Sequence, residues 1–577
     1  MKLLENVIAV MLLAVSAESF LAAHPGSIRA KASVVQMTTA RNTESITTAW
    51  YPSRSSRAGM NLPNNAAVVD KFIAFLRKRI RTSAVGDYIG PVKDLQSVVE
   101  QDPNLLAQFT MAFATSRQVK EGQTSLDTPA VKNFEEFLAM LDVIMSTAPV
   151  YNLDCNKLGN DYSNEPAGLI AFPINAILAW PMATNAGQGM FANTLVNDCF
   201  LRVLNHWQKH FLTTDGSRYV LPPNAAANKN MPSNSVGWLH EGAKAQMVKV
   251  AFDFVGDNTD VVVNDDGVFV CKPKELERDD VAPLRPTFEQ VFDLPDPDDL
   301  EYYGFNSWDE FFLRKFSNMG NGMGVGPRPL NGLGGYQPWP LCDDNDDSMI
   351  VNACESAPLN LVRDVKADSK FWLKGQEYSL NNMLNHDELA PKFVGGCVYQ
   401  AYLSALSYHR WNAPVSGTVV KVVKIPGTYY LENIHTGFEA QFIPDDKETF
   451  TTGSPDTVGP NDSQKFLTAV ATRMAIYIQA KDPNIGLMCF LAIGMAEVSS
   501  TEADVKAGDV IKKGDQIGKF HYGGSTHCLI FRKEAADNLT FYTELPNGEN
   551  NIYNTSPSID AKNVPVLAQI AKCTAKQ

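Results

Sequence analysis

The sequence predicts an α+β protein, a helical N-terminal domain followed by a mainly β catalytic domain, and three observations carry this. Between Asn64 and about Asp253, apolar residues recur at three- and four-residue steps in VVDKFIAFLRKRI, VKDLQSVVEQ, LLAQFTMAF and VKNFEEFLAMLDVIM, the period of amphipathic helices. From about Tyr302 the pattern shortens. The runs GGCVYQAYL, GTVVKVVKI, TYYLENI, GLMCFLAIGMAEV and HCLIFRK read as strands separated by turn signals, and Gly508, Gly514 and Gly518 read as hairpin punctuation. Between the two, Asp257–Asp299 turns to Asp-, Pro- and Gly-containing loops with the short strand-like runs VVVN and VFVC.

At 577 residues the chain exceeds what a single core usually organises. We divide it into a signal peptide at 1–23, a flexible linker at 24–62, a helical domain at 63–255, a junction at 256–300 and the catalytic domain at 301–577. The leader pairs one Lys with an apolar run from Val7 to Val15 and small residues at Ala17 and Ala22-Ala23. This is a secretory pattern too short to span a bilayer, and an ordinary N-terminal helix is the alternative. The first reading places the protein in the secretory pathway, the second in the cytoplasm. The linker is rich in Ser, Thr, Arg and Ala without periodicity.

Hydrophobic residues make up 45% and charged residues 20%, which excludes wholesale disorder. The formal net charge of -14 opposes nucleic acid and anionic membranes as partners. The nearly unbroken apolar segment 167–183 is interrupted by Pro173 and Pro181. It reads as a buried, broken helix, with a pocket wall or a membrane-surface contact as alternatives. Nine scattered cysteines without a C-x-x-C pair argue against a zinc site or a dense disulfide framework. The acidic clusters around Asp296–Asp299 and Asp343–Asp347 lack the pattern of a calcium loop and read as solvated loops, so no metal is expected. Sequons at Asn461, Asn538 and Asn554 permit glycosylation of an exported chain.

The chemistry-bearing segment is FHYGGSTHCLIF. Gly523 and Gly524 free the backbone and leave the Gly524 carbonyl unshielded, so Ser525 Oγ can attack the carbonyl just before it. Elimination from the resulting ester and hydrolysis would end the upstream chain at Gly524 and leave a pyruvoyl group in place of Ser525. Such a ketone captures an amine and accepts the electrons released when CO2 leaves. Taken alone, Gly-Gly-Ser-Thr is equally a β-turn.

The surroundings decide otherwise. In order come YYGFNSWDEFFLRKF (302–316), GPRPL (326–330), NACES (352–356), LKGQEYSLNNML (373–384), YHRWNAPVSGTVVKVVKIPGTYY (408–430), GLMCFLAIGMAEVS (486–499) and KKGDQIGKFHYGGST (512–526). With these segments, the chain over about 64–540 resembles the phosphatidylserine decarboxylase family, and within it the soluble fungal L-tryptophan decarboxylase branch. The helical region resembles the extra domain of that branch.

The resemblance implies several roles. Ser525 matches the precursor of a covalent pyruvoyl cofactor, and Gly524 ends the large subunit of a proenzyme whose two pieces stay associated. His409 matches a histidine that family enzymes use near the substrate, suited to protonating the carbanion left by CO2. The family's second histidine, the usual base for self-cleavage, is here Asn412, and the family's Ala-Asp-Gly, whose Asp orients that histidine, is replaced by Ala353-Cys354-Glu355, with Glu355 as the candidate acidic partner. An amide takes no proton from Ser525, and a nucleophilic Ser ordinarily needs an adjacent base. His527, two residues on and on the same strand face, is a candidate substitute, and His521 shares that face if the strand is continuous. The resemblance implies decarboxylation of a soluble, aromatic amino acid. A phosphatidylserine decarboxylase serving phospholipid biosynthesis and a processing-deficient, non-catalytic relative are the alternatives.

Overall fold

The computed structural model describes residues 66–80, 86–123, 131–152, 169–251, 259–263, 269–273, 287–317, 346–368, 378–432, 463–544 and 555–574, with short gaps at 171, 183, 226–227, 229, 233–234, 499, 523–524 and 559–560. The expected signal peptide and linker, GPRPL, Gly523 and Gly524 lie outside them. The described residues fall within one unit, Arg57–Gln577.

The helical patterns form α1 (Ala66–Arg79), α2 (Gly90–Gln101), α3 (Pro103–Gln123), α4 (Phe134–Ile144), α5 (Pro173–Met182), α6 (Asn185–Ala192), α7 (Thr194–Trp207) and α8 (Glu241–Ala251). Local chemistry sets their ends. Asn133 caps α4 by accepting from Glu136 N at 2.9 Å, and Asn193 caps α7 through Leu195 N and Val196 N. Arg77 of α1 pairs with Glu136 of α4 at 2.7 Å. The apolar segment 167–183 is buried through Pro173–Met182, as its composition demands. Pro173 does not interrupt this helix, however. It begins it, because the first turn needs no N–H from that position. Pro181 sits within the final turn. No helix of the described residues is long and apolar enough to cross a membrane.

After a short helix α9 (Trp308–Phe312), the chain becomes mainly antiparallel β-structure: β1 (Met349–Val351), β2 (Ala357–Arg363), β3 (Cys397–Leu403), β4 (Arg410–Asn412), β5 (Gly417–Ile425), β6 (Arg473–Ala480), β7 (Leu487–Gly494), β8 (Ser500–Ala503), β9 (Val510–Ile511), β10 (Gln516–His521), β11 (Ser525–Phe531), β12 (Leu539–Phe541) and β13 (Gln569–Cys573). A seven-stranded sheet runs β9-β5-β6-β7-β11-β3-β2, and two three-stranded sheets run β4-β10-β8 and β12-β13-β1. Strand β11 lies inside the large sheet, antiparallel to β3 and β7, and is buried throughout. The strand-like runs of the junction form a hairpin, Thr259–Val263 with Phe269–Pro273.

Three local expectations change. TYYLENI is not a strand; over its described residues it makes only an isolated bridge from Thr428 to Ala471. Gly508 and Gly514 do occupy turns with positive φ (93° and 94°), which favours glycine. Gly518 instead lies within β10, where an added Cβ would stand 2.3 Å from Trp411 Cε3, so its role is close approach to the indole. The third change concerns His521. The strand before Ser525 is not continuous: β10 ends at His521, the chain turns at Tyr522 (φ 64°), and Ser525 opens β11 in a different sheet.

The helical and β parts are hydrogen-bonded together. Tyr429 N donates to Asn197 Oδ1 at 3.1 Å, Gln188 Nε2 to the Glu432 carbonyl at 2.9 Å, and Trp308 N to Ser217 Oγ at 2.9 Å.

Candidate active site

Ser525 is the first residue of β11, and its cross-strand neighbours are Leu403, the last of β3, and Gly494, the last of β7. Three segments therefore leave the sheet at one end: 404–409 after β3, 495–497 after β7, and 520–522 ahead of β11. They carry His409, Glu497 and Tyr522. The Ser525 hydroxyl is fully buried and has no hydrogen-bond partner. It lies at the end of a ladder of largely apolar, buried strands, which shelters it from water.

His409 is buried and stacks on Phe312 with ring centroids 4.0 Å apart. Its carbonyl accepts from Phe520 N at 2.9 Å, which fixes the 404–409 segment to the end of β10. Phe312 also meets Tyr522 edge-on at 5.8 Å, so aromatic contacts connect His409 to the residue three before Ser525.

Glu355 is buried and accepts from Tyr408 N at 3.1 Å through Oε2 and from Asn563 Nδ2 at 3.0 Å through Oε1. The buried Arg314 guanidinium is pulled down to about 10 by desolvation, with the Glu355 charge acting the other way. The acidic side chain expected to orient a second histidine thus grips the backbone beside His409. Asn412 gives Nδ2 to the Gly514 carbonyl at 2.8 Å and its backbone N–H to the Ala353 carbonyl at 2.8 Å. Its amide clamps the 512–515 turn.

His527 shares the face of β11 with Ser525, opposite Ala401 and Ala492, and its ring stacks over Phe490 at 5.8 Å. Both ring nitrogens are buried without a hydrogen-bond partner, as is Ser525 Oγ, so the two side chains are not bonded to each other. Burial pushes the imidazole down to about 3, which keeps it neutral and makes it a weak base. His521 lies elsewhere, with Nδ1 3.2 Å from Asp309 and Nε2 2.8 Å from Glu502. Burial would lower it, yet these two carboxylates hold it above the usual histidine range.

Three polar residues at this end of the sheet carry little sequence signal. Glu497 is the lone charge in GLMCFLAIGMAEV, Tyr522 directly precedes Gly-Gly-Ser, and Tyr430 ends the YHRW…TYY segment. All three are buried. Among the described residues, no group of three or more His, Cys, Asp or Glu gathers in a way that could hold a metal ion.

Comparison with known proteins agrees with this architecture. A family model described as phosphatidylserine decarboxylase matches residues 340–550, and a second of the same description matches 90–247. The chain is 32% identical over 413 residues to decarboxylase iboD of Amanita muscaria, covering 71% of this chain and 96% of that protein. It is 31% identical over 486 residues to the L-tryptophan decarboxylase of Psilocybe cubensis, covering 83% and 89%. Phosphatidylserine decarboxylase proenzyme 3 of Schizosaccharomyces pombe is 26% identical over 265 residues, 46% of this chain and 22% of that protein.

Proposed function

Since the chain belongs to the phosphatidylserine decarboxylase family and is a decarboxylase, we propose that it acts on a soluble aromatic amino acid such as L-tryptophan, after cutting itself at Gly524–Ser525. The observation that carries this reading is the placement of Ser525. An unpaired, fully buried hydroxyl begins an interior strand at the sheet end where His409 and an aromatic cluster also converge.

These residues fit a covalent pyruvoyl group derived from Ser525, because the orphaned Oγ has no structural bond to lose. When formed, that group supplies the carbonyl that captures the substrate amine and takes up the electrons left by departing CO2. In maturation, Ser525 Oγ attacks the Gly524 carbonyl carbon and its proton passes by way of a base to the Ser525 nitrogen as the Gly524–Ser525 C–N bond breaks. Elimination then releases the Gly524 carboxylate, and water replaces the nitrogen, which leaves as ammonia. His527 is our candidate for that base, being neutral and on the same strand face. In turnover, His409 supplies the proton that replaces the carboxyl group on the substrate carbon. Glu355 holds the backbone at Tyr408 and so positions His409.

The aromatic substrate is supported by the walls of the site. Helix α5 and the end of α7 bring Phe172 and Trp207 against Tyr522, at 6.1 and 5.0 Å. The relatives reported above, named L-tryptophan decarboxylase and decarboxylase iboD, match 83% and 71% of this chain. A processing-deficient relative is the second reading, supported by Asn412, whose amide is committed to Gly514.

The test is direct. Purified protein on a denaturing gel should separate into two pieces, the smaller spanning 525–577 with a blocked, pyruvoyl-type N-terminus by mass spectrometry. A single intact chain would establish the second reading. Tryptamine formed from L-tryptophan, with no phosphatidylethanolamine formed from phosphatidylserine, supports the amino-acid substrate; the opposite result replaces it with the lipid.

A further inference from the structure

Glu497, Tyr430 and Tyr522 meet at the site end of the sheet with polar atoms left unused. The Glu497 carboxyl is anchored on one side: Oε1 accepts from Ile174 N at 2.7 Å and Asn175 N at 2.8 Å, the free donors of the first turn of α5. Its other oxygen, Oε2, is buried with no hydrogen-bond partner, and so are the hydroxyls of Tyr430 and Tyr522 and Oδ1 of Asn175. The Glu497 charge bears on both phenols, and the Tyr430 phenol bears on that of Tyr522. Native proteins leave few buried polar atoms unpaired, and these four call for an occupant.

The backbone is bent to make this arrangement. Ala496, just before Glu497, has φ 52°, and its N–H donates to the Tyr429 carbonyl at 3.1 Å, setting Glu497 beside Tyr430. Tyr522 itself has φ 64°. Left-handed conformations at an alanine and a tyrosine are costly and collect where function over-determines them. The surrounding walls are aromatic: Phe172, Trp207 and Phe312 contact Tyr522, while Phe191 and Phe200 contact Tyr430. Tyr522 lies three residues before Ser525, and Glu497 three residues after Gly494, which pairs with Ser525.

We propose that Glu497 Oε2 and the Tyr430 and Tyr522 hydroxyls form a subsite that recognises a hydrogen-bond donor on the ring of an aromatic ligand, the N–H of an indole or the O–H of a phenol. This rests on the aromatic amino-acid reading given above and assigns these side chains to specificity. A carboxyl oxygen accepts from the ring donor, the hydroxyls complete the polar end of the subsite, and the rings stack on the remainder.

The probe pair is indole and benzothiophene, which share a shape and differ in the N–H. Calorimetry on the full chain at about pH 9, where the carboxyl that burial lifts to about 8 is ionised and Oε2 is a free acceptor, should show wild type preferring indole by about tenfold or more, as expected where a buried acceptor would otherwise go unpaired. In Glu497→Gln, Oε1 can still accept the α5 amides while an amide NH2, a donor, replaces the free oxygen. That change should reduce the preference to about threefold or less. Tyr430→Phe leaves the α5 anchor untouched and should also reduce it, which keeps the test decisive if the first variant misfolds. Equal affinity of wild type for the two probes, no binding of either, or an unchanged preference in both variants overturns the subsite. Activity separates the two claims. Wild type that prefers indole yet decarboxylates no aromatic amino acid removes the functional reading and keeps the subsite. Wild type that makes tryptamine without that preference does the reverse.

Discussion

Tyr408 donates its backbone N–H to Glu355 Oε2 at 3.1 Å, and the next residue along the chain is His409. A carboxylate buried 53 residues upstream therefore sets the register of the segment that brings the imidazole to the sheet end. The same carboxylate faces the buried Arg314 guanidinium electrostatically. Glu355→Ala removes the acceptor for Tyr408 N and Asn563 Nδ2 and the negative neighbour of Arg314. We expect a loss of about 3 kcal/mol, the scale of breaking a buried charged network, read as a lowered midpoint of chemical unfolding. Glu355→Gln, which keeps an acceptor oxygen, should recover part of it. Wild-type stability in the alanine variant would show that the network carries no weight.

Ser525→Ala should give a single uncut chain with no amine product, because the attacking oxygen is gone. Its folding should be nearly unaffected, since Ser525 Oγ has no hydrogen bond to lose. A variant that still separates into two pieces on a gel would remove Ser525 from the cut.

Two substitutions locate the base. If His527 takes the proton from Ser525, His527→Gln should slow the cut by about a hundredfold or more, within the range typical of a general base. Asn412→His should speed it if the missing family histidine limits the rate. A gel time course after a pulse of synthesis reads both. Unchanged rates in the two variants would assign the proton transfer to another group.

His521 gives a pH signature. Its pKa is raised in the folded protein by Asp309 and Glu502, against burial, from an unfolded value of about 6.5. The imidazolium thus stabilises the fold fully below about pH 6.5, and the contribution disappears as pH rises through the folded pKa. The melting-temperature gap between wild type and His521→Gln should shrink across that interval, and a gap independent of pH would contradict the pairing.

Glu497 acts over a wider window. Burial lifts its carboxyl to about 8, with the Ile174 and Asn175 amides opposing, while an unfolded glutamate titrates near 4.3. The folded chain holds this proton more tightly, so the stability it contributes is complete below about pH 4.3 and is lost as pH rises toward 8. The facing Tyr430 and Tyr522 phenols are raised well above their ordinary value and stay protonated throughout. Wild type should therefore lose melting temperature between about pH 5 and pH 8 more steeply than Glu497→Gln. Parallel profiles would mean that the carboxyl is ionised across the range.

Periodicity made the main architecture legible. The amphipathic runs became α1 to α4, and the uninterrupted apolar runs became the buried strands β3, β7 and β11. Ser525 and His409 stand out in the sequence through ordered motifs, and the structure places both at the same end of the sheet. What the sequence hid depends on long-range geometry. His521 and Ser525 are four residues apart yet lie in different sheets, because the chain turns at Tyr522. Gly518 resembles a turn glycine until Trp411 is seen packed on it. Glu497 meets the first turn of α5 from 322 and 323 residues away, a pairing to which no local pattern points.

The interior position of β11 has a thermodynamic consequence. Ser525 begins a strand laced on both sides by β3 and β7, and the chain beyond it adds β12 and β13, which close against β1. A chain severed ahead of Ser525 would keep its shape through these ladders, but it would have lost the covalent tether that made their assembly intramolecular. Refolding after denaturation would then be a bimolecular encounter, in which an unpaired central strand must find its slot in dilute solution. Such a molecule is assembled once, as a single polymer, and afterwards owes its persistence to slow unfolding.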